Sequence, residues 1–184
     1  MTRRNIYLVG FMGTGKTTIG RELARVMGRK FLDVDLELEK RLEMTVNEIF
    51  DTHGEEFFRT RERELAREVA AMTNRVVATG GGTIVDPDTF ELFNQNGLLI
   101  CLYTRREDLV GRLQRTDKRP MLRGDVEDRV EKLMEERKRI YDRVKIRIDT
   151  TELTPLTAAR KIQELLNTRQ QILQRLSDQY IELS

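Results

Sequence analysis

The chain has 184 residues, a length that suits one compact domain with a substantial buried core. Its 33 basic and 31 acidic side chains leave a net charge of +2, which provides no global field for nucleic acid, and no apolar stretch approaches the ~20 residues of a membrane span. No signal-peptide core follows Met1-Thr2-Arg3-Arg4, so a cytoplasmic protein with neither nucleic-acid nor membrane partners is expected.

The first apolar run, Ile6 to Val9, reads as a buried strand, and residues 10 to 17 then spell GFMGTGKT, a GxxxxGK[ST] phosphate-binding loop. In that context Gly13, Thr14 and Gly15 bring backbone N–H groups around phosphate oxygens. Lys16 reaches the β- and γ-phosphates, Thr17 offers its hydroxyl to Mg²⁺, and Thr18 continues the nucleotide-facing helix start. A helix is expected from Thr17 to Met27.

Phe31-Leu32-Asp33-Val34-Asp35 reads as a second strand. If its pleat continues, Asp33 and Asp35 face opposite ways, so that one can serve the metal shell and the other a substrate. The plainer alternative is that both only cap a helix starting near Leu36. Helices are expected over Leu36–Leu42, Val46–Thr52 and Glu55–Met72, with His53 exposed in a turn between the last two. Glu62 stands three residues after Arg59, where an ion pair can fix the guanidinium for bidentate capture of a carboxylate. Arg61, Arg63 and Arg67 read as a solvated charge run, and Phe50 and Phe58 as core or pocket-wall residues.

Arg75 to Ala78 is a third strand, and Gly80-Gly81-Gly82 after it allows positive φ and close approach of a ligand to the backbone. A helix over Pro87–Asn94 leads to the strand Leu98–Tyr103, in which the single cysteine, Cys101, reads as a buried thiol. After a helix over Glu107–Leu113, the polar segment at about 113–125 has the composition of a mobile basic lid. Helices over Val126–Val144 and from Pro155 to about Ser177, with a strand at Lys145–Ile148 between them, complete the pattern. Short apolar strands separated by charged helices predict a five-stranded parallel sheet covered on both faces, a three-layer α/β/α sandwich with ligands at the carboxyl ends of the strands.

Together these residues resemble the shikimate kinases, small phosphate-loop enzymes related in fold to nucleoside monophosphate kinases. The likeness runs from about Asn5 to Asp149. It is carried by GFMGTGKTTIGRELA, Leu32-Asp33-Val34-Asp35, Glu48-Ile49-Phe50, Gly54-Glu55 with Phe58-Arg59-Thr60-Arg61-Glu62, Ala78-Thr79-Gly80-Gly81-Gly82, Lys118-Arg119-Pro120-Met121-Leu122, and Glu136-Arg137 with Tyr141. The resemblance implies ATP-dependent, Mg²⁺-requiring phosphorylation of the 3-hydroxyl of shikimate, a step toward chorismate and the aromatic amino acids.

The resemblance further implies that Asp35 binds the reacting hydroxyl and acts as its base or orienting group, that Asp33 holds Mg²⁺ through water, and that Arg59 and Arg137 grip the substrate carboxylate. Gly81 would supply a backbone contact beside Gly80 and Gly82, Phe50 and Phe58 would line the ring, Arg119 would reach the transferring phosphate from the lid, and Arg112 would lie against adenine. The substrate-binding segment falls at about 36–62.

The sequence departs from the family pattern after Asp149, where Thr151-Glu152-Leu153-Thr154-Pro155 carries no arginine for the adenine. The tail from Asn167 to Ser184 has Leu166, Ile172, Leu173, Leu176 and Tyr180 at roughly helical spacing, which suits either a helix on its own domain or a dimer contact on an otherwise monomeric protein. The rival readings are a gluconate-type or nucleotide kinase on the same fold and a nucleotide-binding regulator without catalysis. Paired arginines with Asp35 favour a hydroxylated carboxylate, and intact Lys16, Thr17, Asp33 and Asp35 favour an enzyme.

Overall fold

The computed structural model describes residues 4–114 and 126–181, with side chains described over 4–113 and 127–172. The suspected lid, with Lys118, Arg119 and Pro120, lies outside the described residues. Five strands, β1 (Asn5–Val9), β2 (Lys30–Asp33), β3 (Arg75–Ala78), β4 (Gly97–Tyr103) and β5 (Ile146–Asp149), form a sheet of order β2-β3-β1-β4-β5. Every adjacent pair is parallel. Seven α-helices are described: α1 (Lys16–Met27), α2 (Val34–Leu42), α3 (Val46–Ala71), α4 (Pro87–Asn96), α5 (Arg106–Gln114), α6 (Val126–Asp142) and α7 (Pro155–Ile181). None of the described helices is long and apolar enough to cross a membrane.

The period of two along each strand divides the core into two layers. Ile6, Leu8, Val76, Ile100, Leu102 and Ile148 pack with Ile19, Leu23 and Ala24 of α1 and Ala158, Ala159 and Ile162 of α7. Tyr7, Val9, Val77, Leu99 and Cys101 face the other way, into a larger cluster that draws on α2 through α6. Tyr7 stacks on Phe93 of α4 with ring centroids 4.1 Å apart. At the amino edge, the fully buried Asn5 amide donates to the carbonyls of Val69 and Met72 and accepts from the Arg75 backbone, tying the end of α3 to β1 and β3.

Most element boundaries lie within four residues of the sequence expectation, and two differences bear on the site. The strand expected over 31–35 stops at Asp33, and Val34 and Asp35 already belong to α2. The pleat argument therefore does not apply to Asp35, which projects from the first turn of a helix. The helices expected on either side of residues 53–54 run as one element, α3, with Gly54 at φ 82° and ψ 172° as its single non-helical position. A glycine accepts that conformation without strain, so the axis kinks while the chain continues, and His53 lies in the helix against Phe57 rather than in a turn. Thr45 starts α3 with a capping box: its hydroxyl accepts from Glu48 N–H while the Glu48 carboxylate accepts from Thr45 N–H.

Because all strands run the same way, the loops after Val9, Asp33, Ala78, Tyr103 and Asp149 gather at one edge of the sheet. β1 lies between β3 and β4, so the glycine-rich loop that follows it sits in the middle of that edge. α7 continues well past Leu166, which packs on the core, and Ile172 is about half exposed. The side chains of Leu173, Leu176 and Tyr180 lie outside the described set.

Candidate active site

The candidate donor side of the edge is the loop between β1 and α1. Gly13 and Gly15 have φ of 81° and 89°, values an L side chain adopts only with strain, and they let the chain double back before α1. Gly15 is the helix N-cap and supplies no side-chain cap, so the first N–H groups of α1 meet the loop with the positive end of the helix dipole. Lys16 is largely buried, and its ammonium donates to the carbonyls of Gly10 and Phe11 at 2.8 Å each. Thr14 donates to the Phe11 carbonyl at 2.8 Å and Thr18 to the Gly15 carbonyl at 3.0 Å.

Thr17 joins the loop to β2: its hydroxyl donates to Asp33 Oδ2 at 2.6 Å. Asp33 Oδ1 meanwhile accepts from Leu36 N–H at 3.2 Å, so one carboxylate both caps α2 and faces Thr17. The capping role expected as the plain alternative holds for Asp33 together with the pairing, since its two oxygens point to different partners. The Thr17 hydroxyl and the Asp33 carboxylate are two adjacent hard oxygens, a donor set suited to Mg²⁺, which keeps waters and phosphate oxygens in its shell.

On the β4 side, Arg112 of α5 donates to the Gly13 carbonyl at 3.2 Å. The loop after β5 is tied to the same turn through Thr150, whose hydroxyl lies 3.3 Å from the Thr14 carbonyl and 3.0 Å from that of Tyr103. Farther along, Glu152 is engaged by Arg105 at 2.5 Å.

Beside the loop after β1 is a cavity, the candidate acceptor side, lined by Met12, Asp35, Val46, Phe50, Phe58, Arg59, Glu62, Gly80, Gly81, Gly82 and Arg137. Every residue that the sequence assigned to the acceptor thus borders one space, although they come from α2, α3, the turn after β3 and α6. Met12 and Val46 are additions. Met12 belongs to the donor loop, so a single turn touches both halves. Phe50 and Phe58 form a tilted pair with centroids 4.9 Å apart, one turn on each side of the Gly54 kink.

Arg59 donates to Glu62 Oε2 at 2.6 Å, and its guanidinium also pairs with the more exposed Glu55 at 3.2 Å. Burial works against the charge on Arg59, but the carboxylates of Glu62 and Glu55 outweigh it and hold the guanidinium above its ordinary pKa. Glu62 is almost fully buried, and its other oxygen accepts from the Thr83 hydroxyl at 2.6 Å. Arg137, also buried, donates to the Gly81 carbonyl at 2.9 Å and lies over the Phe11 ring at 5.7 Å. Tyr141 donates its hydroxyl to the same carbonyl.

The glycine triplet departs from expectation in its reason for being glycine. None of its three members has positive φ; Gly82, for example, has φ −116°. What the turn requires is space. A methyl group on Gly80 would lie 2.7 Å from Asp35 Oδ1 and 2.9 Å from Glu62 Oε1. One on Gly81 would lie 3.0 Å from Met12 N, and one on Gly82 2.8 Å from the Arg59 guanidinium. The missing side chains are the room in which the charged groups of the cavity sit.

Sequence reasoning overlooked the contacts of Thr83 and Tyr141. The signal for Tyr141 is its position four residues after Arg137 on one helix, which puts both on the same face. Thr83 offers only its adjacency to the triplet, and nothing local says that its hydroxyl meets a carboxylate 21 residues away.

The shikimate kinase family model matches residues 12–175. Among curated proteins, the shikimate kinase of Pelotomaculum thermopropionicum is 40% identical over 152 residues, 82% of this chain and 88% of that protein. Among solved structures, a shikimate kinase from Acinetobacter baumannii in complex with shikimate is 39% identical, with a TM-score of 0.88 over 91% of this chain and 95% of that one. A gluconokinase from Sinorhizobium meliloti shares the fold alone, at 12% identity and a TM-score of 0.51.

Proposed function

The chain belongs to the shikimate kinase family, and from that premise we propose that it transfers the γ-phosphoryl group of ATP to the 3-hydroxyl of shikimate, releasing ADP and shikimate 3-phosphate. The observation that carries the reading at the level of residues is the acceptor cavity: two arginines, one aspartate and a glycine turn border one space, with Met12 linking it to the phosphate loop. A small hydroxylated carboxylic acid is the ligand that such a set recognises.

On the donor side, the amides of residues 13–18 receive the phosphates, and Lys16 exchanges its two carbonyl partners for β- and γ-phosphate oxygens. Thr17 directly and Asp33 through water would hold Mg²⁺, which when bound neutralises charge between the β- and γ-phosphates. Arg112 flanks the adenine, and Arg119, outside the described residues, neutralises the migrating phosphoryl group.

On the acceptor side, Arg59, held by Glu62, and Arg137 bind the carboxylate, while Phe50 and Phe58 line the ring and Gly80 to Gly82 present backbone to it. Asp35 orients the 3-hydroxyl and accepts its proton as the oxygen–phosphorus bond forms and the bond from the γ-phosphorus to the bridging oxygen of ADP breaks. Positioning and charge neutralisation carry most of the barrier reduction in such transfers. We further propose that residues 1–184 act as one cytoplasmic, monomeric kinase domain, with the end of α7 as the place for any dimer contact.

The test is ADP release from Mg·ATP with shikimate, D-gluconate or a nucleoside monophosphate as acceptor. Turnover with shikimate, lost on chelation of Mg²⁺, is expected. Turnover with gluconate or a nucleotide in its place would overturn the acceptor assignment, and ATP binding without turnover of any acceptor would leave a nucleotide-binding regulator.

A further inference from the structure

The glycine turn of the acceptor cavity is held from two directions. Within the turn, the Gly80 carbonyl accepts from Thr83 N–H at 3.4 Å and the Gly82 carbonyl from Val85 N–H at 3.0 Å, both in the 3₁₀ geometry of Thr83–Val85. The Gly81 carbonyl is turned outward to α6, where it accepts from Arg137 Nη1 at 2.9 Å and from the Tyr141 hydroxyl. In a trans peptide the C=O and N–H lie on opposite sides, so anchoring this carbonyl on α6 directs the Gly82 N–H away from α6. It also sets how Gly82 abuts Arg59, with which there is no room for even a methyl group.

We propose that Tyr141 is a positioning residue for the acceptor: its hydroxyl shares the Gly81 carbonyl with Arg137 and thereby holds the glycine turn and the Arg137 guanidinium in the arrangement that receives the substrate carboxylate. This rests on the acceptor reading given under Proposed function. The two donors come from one helix face, four residues apart, and converge on one oxygen. The turn is therefore wedged between α6 and Met12 of the phosphate loop, whose backbone nitrogen would lie 3.0 Å from a methyl group at Gly81.

The ring of Tyr141 is buried in the larger core cluster, so ring and hydroxyl have separable duties. Burial pushes the phenol well above its ordinary pKa, against the opposing charge and hydrogen bond of Arg137, so it remains a donor throughout the neutral range. Replacement by phenylalanine keeps the packed ring and removes the donor alone.

The experiment compares wild type, Tyr141→Phe, Arg137→Lys and the double variant by steady-state kinetics, by calorimetric titration with shikimate in the absence of nucleotide, and by thermal melting. Tyr141→Phe is expected to raise KM for shikimate about threefold to tenfold, the scale of one hydrogen bond, and to weaken the calorimetric affinity equally. Its kcat and its KM for ATP should stay within about twofold of wild type, since the hydroxyl bonds the glycine turn of the acceptor cavity. In the Arg137→Lys background the same change should add less than about twofold, because the shared arrangement is already broken.

An unchanged shikimate KM in an active Tyr141→Phe enzyme would overturn this inference alone, as would equal losses toward ATP and shikimate or a lowered melting temperature with unchanged kinetics. A wild-type protein that neither binds nor phosphorylates shikimate would overturn the proposed function and this inference with it.

Discussion

In the loop after β1, Gly13 and Gly15 hold φ of 81° and 89°, and the chain doubles back there before α1. In the turn after β3, Gly82 has φ −116°, a value open to any residue, and a methyl group there would lie 2.8 Å from Arg59. The first loop needs glycine for its own backbone; the second needs it for its neighbours. The proposed donor half is accordingly assembled from consecutive residues, with Asp33 and Arg112 joining from outside, whereas the proposed acceptor half draws on α2, α3, the glycine turn and α6. A local motif can recur wherever a nucleotide is bound, while specificity for the acceptor depends on how distant helices meet.

The largest expected effect tests whether the halves separate at all. With Asp35 in its proposed role as proton acceptor, Asp35→Asn should lower kcat about a hundredfold to ten-thousandfold while ATP affinity, measured by titration, stays within about twofold. An Asp35→Asn enzyme with normal kcat would take Asp35 out of the chemistry. Next come the two kinds of glycine. Gly15→Ala places an L side chain in a left-handed conformation at a cost of about 1–2 kcal/mol, and should raise KM for ATP about tenfold with little change for shikimate. Gly82→Ala has no φ strain but displaces the Arg59 guanidinium, and should raise KM for shikimate about tenfold or more with little change for ATP. If both variants weaken both substrates alike, the division into halves is wrong.

The smallest effect lies beneath the site. Burial pushes the Cys101 thiol up to about 11, against the opposing pull of Arg147 and Lys16. Its folded pKa is above the unfolded one, so the folded state holds the proton more tightly. That contribution to stability is complete below about pH 9 and fades as pH rises through about 11. The stability difference between wild type and Cys101→Ala, from urea denaturation, should therefore shrink by about 1–2 kcal/mol between pH 8 and pH 10.5. A difference independent of pH would mean that the thiol is not held in its neutral form.

Much of this was legible in the residues themselves. The phosphate loop, the five strands, the Arg59–Glu62 spacing and the buried cysteine are all local patterns, set by hydrophobic period, glycine content or i,i+3 geometry. The end of β2 was less legible, because Phe31 to Val34 satisfies a strand pattern while Asp33 also makes a good N-cap. The fold resolved that competition by starting α2 at Val34. Likewise His53-Gly54 has the composition of a turn, yet the helix passes through it with a kink, and Phe50 and Phe58 on either side pack together.

By itself the sequence determined the architecture and the donor loop, because both depend on properties a short segment carries with it: alternation, helical period and the tolerance of glycine for positive φ. Only the tertiary structure decided why residues 80–82 lack side chains, that Thr83 supports Glu62, and that Arg137 and Tyr141 meet at the carbonyl of Gly81. Those are statements about the distance between groups from 21 to 69 residues apart, and such distances exist only once the helices have packed on the sheet.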